Sequence, residues 1–142
     1  LADFCEKMGM KYVVFDAVDA NGQLIYHTNV MLTIGEKIAV ICLSAIKNKA
    51  EKNTVISSLQ RAGKEIVDIS HEQVNHFAGN MLEVRNAAGK SFLVMSQSAK
   101  ESLSEKQKDQ IEQYCAILAP DLTIIETNGG GSARCMLAEI FK

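Results

Sequence analysis

The sequence predicts an α/β fold built from repeated ββαβ units, and three observations lead there. Short stretches recur in the same order: His27-Thr28-Asn29-Val30-Met31, Ala78-Gly79-Asn80-Met81-Leu82 and Ala133-Arg134-Cys135-Met136-Leu137 align, so that Asn29, Asn80 and Cys135 return about every 50 residues. The run Gly35-Glu36-Lys37-Ile38-Ala39-Val40-Ile41, leading to Ser44-Ala45, is echoed by Gly89-Lys90-Ser91-Phe92-Leu93-Val94-Met95, leading to Ser98-Ala99. Each of these two runs precedes a stretch with helical apolar spacing and then a short apolar strand. At 142 residues the chain is one domain's worth of protein, and 47% hydrophobic residues with 23% charged ones exclude global disorder.

Taken in order, Asp3 to Met8 reads as the last turns of a helix. Val13 to Val18 and Leu24 to Val30 read as strands around an Asn21-Gly22 turn. Lys37 to Ser44 is almost wholly apolar, as expected of a central, doubly covered strand. Asn48 to Ala62 carries Ala50, Val55, Ile56 and Leu59 at near-helical spacing, with Gly63 as its stop and the charged run Lys47 to Lys52 as a solvated face. Glu65 to Ile69 is a strand, and the polar stretch Ser70 to Phe77 is a short helix or loop with His71 and His76 in solvent. Met81 to Val84 and Ser91 to Met95 pair across the Ala88-Gly89 turn.

Ser104 and Gln107 form a possible capping box for a helix in which Ile111, Tyr114, Cys115 and Leu118 share a face, ended by Pro120. Leu122 to Glu126 reads as a strand, Asn128 to Ser132 as a glycine loop, and Cys135 to Phe141 as a closing strand. Met31, Met81, Met95 and Met136 are expected to fill the core, and the helices Asn48 to Ala62 and Ser104 to Leu118 to lie outside. The chain therefore reads as a single domain, residues 1–142, holding about two and a half units sliced at both ends. A first residue of Leu rather than Met agrees with a piece of something longer, and the open apolar edge would pair with a missing half or a second copy.

Several function classes fall away. A net charge of −2 and a pI near 5.9 leave no basic footprint for nucleic acid. The longest apolar run, Ile38 to Leu43, is of strand length, which argues against a membrane span, and no secretory signal is visible. Four widely spaced cysteines with no CxxC or zinc spacing read as reduced thiols of a cytoplasmic protein, with no metal or cofactor. Gly129 to Gly131 is not followed by Gly-Lys-Ser/Thr, so it is no P-loop.

Cys5 and Cys115 lie in helical patterns and Cys42 inside an apolar strand, and all three read as structural. Cys135 follows three glycines, which let a backbone approach a ligand closely, and Arg134 beside it would favour the nucleophilic thiolate. The other reading of Cys135 is a buried structural thiol after a turn. A cysteine nucleophile needs a base, and His27 is the candidate: were the repeats set about a pseudo-axis, equivalent strand ends would converge and bring His27 near Cys135. The other reading of His27 is a packed strand residue.

The stretches Tyr26-His27-Thr28-Asn29-Val30-Met31, Phe77-Ala78-Gly79-Asn80-Met81-Leu82 and Gly129 to Met136 resemble the amidinotransferase-like, citrulline-utilisation hydrolase branch of the guanidine-modifying (pentein) superfamily, over Phe4 to Phe141. Arginine deiminases, dimethylarginine hydrolases and glycine amidinotransferases are relatives of that branch. The resemblance implies a partial fan of ββαβ modules, about two and a half of five, around a central channel that binds a small ureido or guanidino molecule. It implies that the Cys135 thiolate attacks the central carbon and that His27 serves as acid to the leaving amine and base to water. Asn29, Asn80, Arg134, Gly130 and Gly131 would then contact the substrate.

Two departures from the family pattern matter. Where deiminases and amidinotransferases place an Asp two residues after the catalytic His, this chain has Asn29, and an amide suits a neutral ureido oxygen. The acidic Glu-Gly-Thr-Gly type block of the family's N-terminal half is absent, so the chain resembles the C-terminal half alone. The expected reaction of the intact enzyme is hydrolysis of citrulline to ornithine, ammonia and carbon dioxide, the fragment alone being inactive. Amidino transfer, an arginine deiminase-like activity, or a non-catalytic assembly module are the alternatives.

Overall fold

Four consecutive aliphatic residues are buried together only in a strand that has neighbours on both edges and cover on both faces. The computed structural model, which describes residues 1–138, gives that place to Ile38–Ile41. The chain runs α1 (Ala2–Lys7), β1 (Leu32–Ile34), β2 (Ile38–Ile41), α2 (Lys49–Arg61), β3 (Glu65–Asp68), α3 (His71–Asn75), β4 (Leu82–Arg85), β5 (Ser91–Val94), α4 (Gln97–Ser102), α5 (Glu105–Glu112), β6 (Ala116–Leu118) and α6 (Thr123–Gly129). Short 3₁₀ turns lie at Thr28–Val30, Leu43–Ala45 and Ala133–Met136.

The two sheets are copies of one plan. β2 pairs antiparallel with β1 and, after α2, parallel with β3, in register Val40 to Thr33 and Val40 to Val67. β5 pairs antiparallel with β4 and, after α4 and α5, parallel with β6, in register Leu93 to Glu83 and Leu93 to Ile117. The repeated ββαβ unit expected from the sequence is thus present twice, each with its parallel strand reached through a helical crossover. Ile41, Val40, Val67, Met31, Leu93, Met95 and Ile111 are fully buried and belong to one continuous core.

Local chemistry sets the helix ends. Asn48 accepts from the amides of Ala50 (2.9 Å) and Glu51 (3.4 Å), and Gly63 leaves α2 with φ +70°. Val55 and Leu59, four apart, are the buried face of α2, and its outer face is solvated. The Ser104–Gln107 capping box expected at α5 is formed, and a second one joins Ser70 and Gln73 at α3. The Gln107 amide also donates to the Asp68 carbonyl (2.7 Å), tying the second unit's helix to the end of β3.

Six expectations are corrected. Neither Val13 to Val18 nor Leu24 to Val30 is a strand: Val18 and Leu24 make one isolated bridge, the Asp19 carboxylate holds the turn by accepting from the amides of Asn21 and Gln23, and Thr28–Val30 is a 3₁₀ turn. Tyr12, Val14, Leu24 and Tyr26 are exposed, so the strand propensity of this segment finds no sheet partner among the described residues. The helix after Ser104 ends at Glu112, and Ala116–Leu118 is β6, because a short apolar run fits either period and the open edge of β5 decides it. Leu122 to Glu126 belongs to α6, where Asp121 starts the turn by accepting from the amide and hydroxyl of Thr123. Cys135 lies in a 3₁₀ turn rather than at the head of a strand, and the rest of the expected closing strand, residues 139–141, lies outside the described residues. Met31, Met81 and Met95 fill the core as expected, whereas Met136 is exposed.

Candidate functional site

The three repeat positions Asn29, Asn80 and Cys135 meet where the loops before β1 and β4 touch the 3₁₀ turn Ala133–Met136. The first contact is between backbones. Gly79 lies so close under Val30 and Met31 that a Cβ there would overlap the Val30 carbonyl and the Met31 Cα. Thr33, buried on β1, holds the two loops together: its hydroxyl donates to the Gly79 carbonyl (2.7 Å) and accepts from the Met81 amide (3.1 Å). Asn80 follows directly, buried, its position set by its own amide donating to the Phe77 carbonyl (2.8 Å) and by φ +61° at Phe77.

The Asn80 side chain bridges all three segments. Its Nδ2 donates to the Asn29 carbonyl (3.0 Å) and stands 3.3 Å from the Cys135 Sγ, while its Oδ1 accepts from the Arg134 amide (3.1 Å). The thiol can also donate to Oδ1, at 3.6 Å. Glycines shape the approach from the other side. Gly130 (φ +65°) ends α6 in the left-handed region, and a Cβ on Gly131 would stand 3.2 Å from both Cβ and Sγ of Cys135. Ser132, buried, donates to Glu126 (2.6 Å) and fixes the loop to α6.

Cys135 is the exposed thiol of the four, and Cys5, Cys42 and Cys115 are buried, none of them in a disulfide. Burial pushes the Cys115 thiol up to about 11, with the Glu83 charge adding to the effect. The Arg134 guanidinium donates to the Leu137 carbonyl (3.3 Å).

A cleft of about 880 Å³ opens beside this junction, lined by Asn29, Thr33, Glu36, Glu83, Arg85 and Arg134 among others. Its carboxylates are engaged: Glu36 pairs with Arg85, and Glu83 accepts from the Glu36 amide (2.7 Å). A second polar cleft of about 820 Å³ lies at α3 and α4, where the His76 Nδ1 is 3.2 Å from the Ser98 hydroxyl. His71, expected in solvent, is half-buried, and its Nε2 is buried without a hydrogen bond.

His27 is exposed and begins the 3₁₀ turn that carries Asn29, with its ring tilted 51° against Tyr26 at 4.8 Å. Among the described residues no hydrogen bond joins its ring to Cys135, so the direct partner of the thiol is Asn80. Sequence reasoning placed Asn29, Asn80 and Cys135 in one set through their repeat positions. It missed Gly79, which directly precedes the repeated Asn80, and Thr33, four residues after Asn29. Among the described residues no group of three or more His, Cys, Asp or Glu side chains gathers to hold a metal ion, and no helix is long and apolar enough to cross a membrane.

Comparison with known proteins places the fold. A family model described as N,N dimethylarginine dimethylhydrolase, eukaryotic, matches residues 1–142. No curated protein matches the chain. Among solved structures, apo ArgZ, an arginine dihydrolase from the ornithine-ammonia cycle in cyanobacteria, superposes with a TM-score of 0.67 at 14% identity, over 94% of this chain and 19% of that one. The N-terminal domain of ArgZ, as a cysteine-to-serine variant bound to substrate, gives 0.64 at 15% identity, covering 94% of this chain and 44% of that one. The same domain as an asparagine-to-serine variant covalently bonded to a reaction intermediate gives 0.66 at 14% identity. The likeness is one of fold, that of the guanidine-modifying pentein superfamily. This chain spans less than half of that domain.

Proposed function

Since this chain belongs to the eukaryotic N,N-dimethylarginine dimethylhydrolase family, we propose that it carries the nucleophile of a cysteine-dependent hydrolase acting on the C–N bond of a guanidino compound. The observation that carries this reading is the junction itself: the exposed Cys135 thiol stands 3.3 Å from a buried amide donor, on a glycine-shaped turn beside the cleft. In the proposed reaction the Cys135 thiolate bonds to the guanidino carbon, and the tetrahedral adduct expels an amine that takes its proton from His27. Water, giving a proton back to His27, then attacks the thiouronium carbon. The C–S bond breaks and the thiolate returns, so that one difficult substitution becomes two easier ones. For a dimethylated arginine the products are citrulline and dimethylamine.

The pocket of the working enzyme is completed, in this reading, by further ββαβ modules, which the chain's share of less than half of the ArgZ N-terminal domain supports. The exposed apolar side chains between Phe4 and Tyr26 support it, because among the described residues they are left uncovered. The free thiols fit a reducing cytoplasm. A second substrate reading rests on Asn29, which lines the cleft where a carboxylate would pair with a guanidinium. An amide there favours a neutral ureido group such as that of citrulline, by the worth of one charge-assisted hydrogen bond, about 1–3 kcal/mol or one to two powers of ten.

The test is to assay the chain with and without its completing modules against dimethylarginine, arginine and citrulline, reading amine, ammonia and ornithine release. Turnover by the completed enzyme, lost in Cys135→Ser and His27→Ala and absent from the 142-residue chain alone, is the expected result. Turnover that survives Cys135→Ser overturns the proposal. If Asn29→Asp fails to move preference from ureido toward guanidino substrates, the second reading falls.

A further inference from the structure

We propose that Asn21 is a site of covalent self-modification, where the Gly22 amide nitrogen closes on the Asn21 side chain, releases ammonia and leaves isoaspartate in an exposed turn. Ring closure by an asparagine is governed by the residue after it, because a Cβ there crowds the attacking nitrogen. Asn precedes Gly twice in this chain, at Asn21-Gly22 and Asn128-Gly129, and every other Asn precedes a residue with a Cβ. The fold treats the two pairs differently.

Asn21 is exposed at the tip of the turn between Val18 and Leu24, and its side chain makes no hydrogen bond among the described residues. Gly22 stands at φ +81° with nothing within 4 Å of the place a Cβ would take, so a five-membered ring has room to form. Attack requires the Gly22 amide to leave the Asp19 carbonyl (3.1 Å) and the peptide to rotate. That opening costs little, because the turn closes one isolated bridge and no longer ladder. Asn128 is tied down instead. Its Nδ2 donates to the Ile124 carbonyl (2.8 Å), and both Asn128 and Gly129 belong to α6. Helical ψ keeps the Gly129 nitrogen turned away from the Asn128 Cγ, so closure there needs the end of α6 to unwind.

The chemistry needs only water. The Gly22 nitrogen gives up its proton and bonds to the Asn21 Cγ, and the tetrahedral adduct expels the side-chain nitrogen as ammonia, leaving a cyclic imide. Water then adds to one of the two imide carbonyls and breaks its C–N bond. Opening at Cγ gives aspartate, and opening at the backbone carbonyl gives isoaspartate, with the chain running through the side-chain carbon. Either product adds one negative charge to a chain of net charge −2. Isoaspartate also adds a methylene to the backbone between Asn21 and Gln23, whose amides both donate to the Asp19 carboxylate (2.8 and 2.9 Å). The two bonds cannot both keep their geometry, so the turn loosens and the bridge between Val18 and Leu24 is lost.

The experiment incubates the intact chain at neutral pH and physiological temperature, once folded and once in guanidinium chloride. Conversion at each Asn-Gly pair is read by peptide mapping from the mass gain of amide to acid. Isoaspartate is read by methyl transfer from an isoaspartate-specific carboxyl methyltransferase. In the unfolded chain both pairs should convert at similar rates. In the folded chain Asn21 should convert about tenfold faster than Asn128, the difference reporting the local opening of α6. Asn21→Gln, which keeps the amide but lengthens the ring that must close, should lose methyl acceptance at this peptide and leave the Asn128 rate unchanged. Asn21 intact in the folded chain while the unfolded chain is converted overturns the proposal. Equal conversion of the two pairs in the folded chain does so too, as does methyl acceptance at the Asn21 peptide that persists in Asn21→Gln.

Discussion

At the scale of single residues, the four cysteines are chemically distinct because of where they sit. Cys135 is exposed and the other three are buried. Limiting iodoacetamide at neutral pH should therefore label Cys135 first, and preferential labelling of Cys5, Cys42 or Cys115 would contradict the packing. Cys115 makes an alkaline prediction. Its folded pKa, pushed to about 11 by burial, exceeds the ordinary thiol value. The unfolded chain then loses this proton before the native one does, so the stabilisation is whole below the ordinary pKa and is lost as pH rises towards 11. The Tyr114 phenol, held up by its bond to Glu65, acts in the same direction. Urea midpoints of the wild type should fall between pH 9 and 11 more steeply than those of Cys115→Ala. Gly79 is the third residue-scale case: Gly79→Ala forces backbone against backbone, and since neither side can yield, it should cost more than the about 1 kcal/mol of ordinary backbone entropy effects, read as a lower unfolding midpoint.

At the scale of elements, the two units are joined by polar groups that sequence patterning does not reveal. Thr33→Val keeps the shape of the side chain but leaves the Gly79 carbonyl and the Met81 amide unpaired in a buried place. A loss of about 1–3 kcal/mol in chemical denaturation is expected. Ser104→Ala removes only a helix cap, with an expected loss near 1 kcal/mol. A Thr33→Val effect no larger than the cap effect would show that water reaches the junction. The element errors have one cause. Leu24 to Val30 and Leu122 to Glu126 carry the residues of strands, but among the described residues neither pairs along a sheet edge beyond the single Val18–Leu24 bridge, and β propensity without a ladder yields to turns and helices. Ala116–Leu118 is the converse, a helix-like spacing captured by the free edge of β5.

At the scale of the whole molecule, the core is continuous across both sheets, but large apolar side chains remain in water: Phe4, Met8, Met10, Tyr12, Val14, Leu24 and Tyr26. Monomers seldom leave such a set uncovered. The native chain should bind a hydrophobic dye and self-associate. Tyr12→Lys with Val14→Lys should reduce both without lowering the unfolding midpoint, and a large drop in midpoint would mean that these residues already pack within the chain.

The sequence by itself determined the ββαβ repeat, the capped helices and the set Asn29, Asn80 and Cys135, because apolar periodicity, capping residues and repetition are local signals that survive without knowledge of neighbours. Only the tertiary structure decided which apolar runs became strands, that Gly79 and Thr33 lock the two units, and that the partner of Cys135 is the Asn80 amide. Those outcomes depend on which edges lie open and which backbones touch across about 50 residues of sequence, and loop closure over such distances leaves no mark on the composition of the segments it joins.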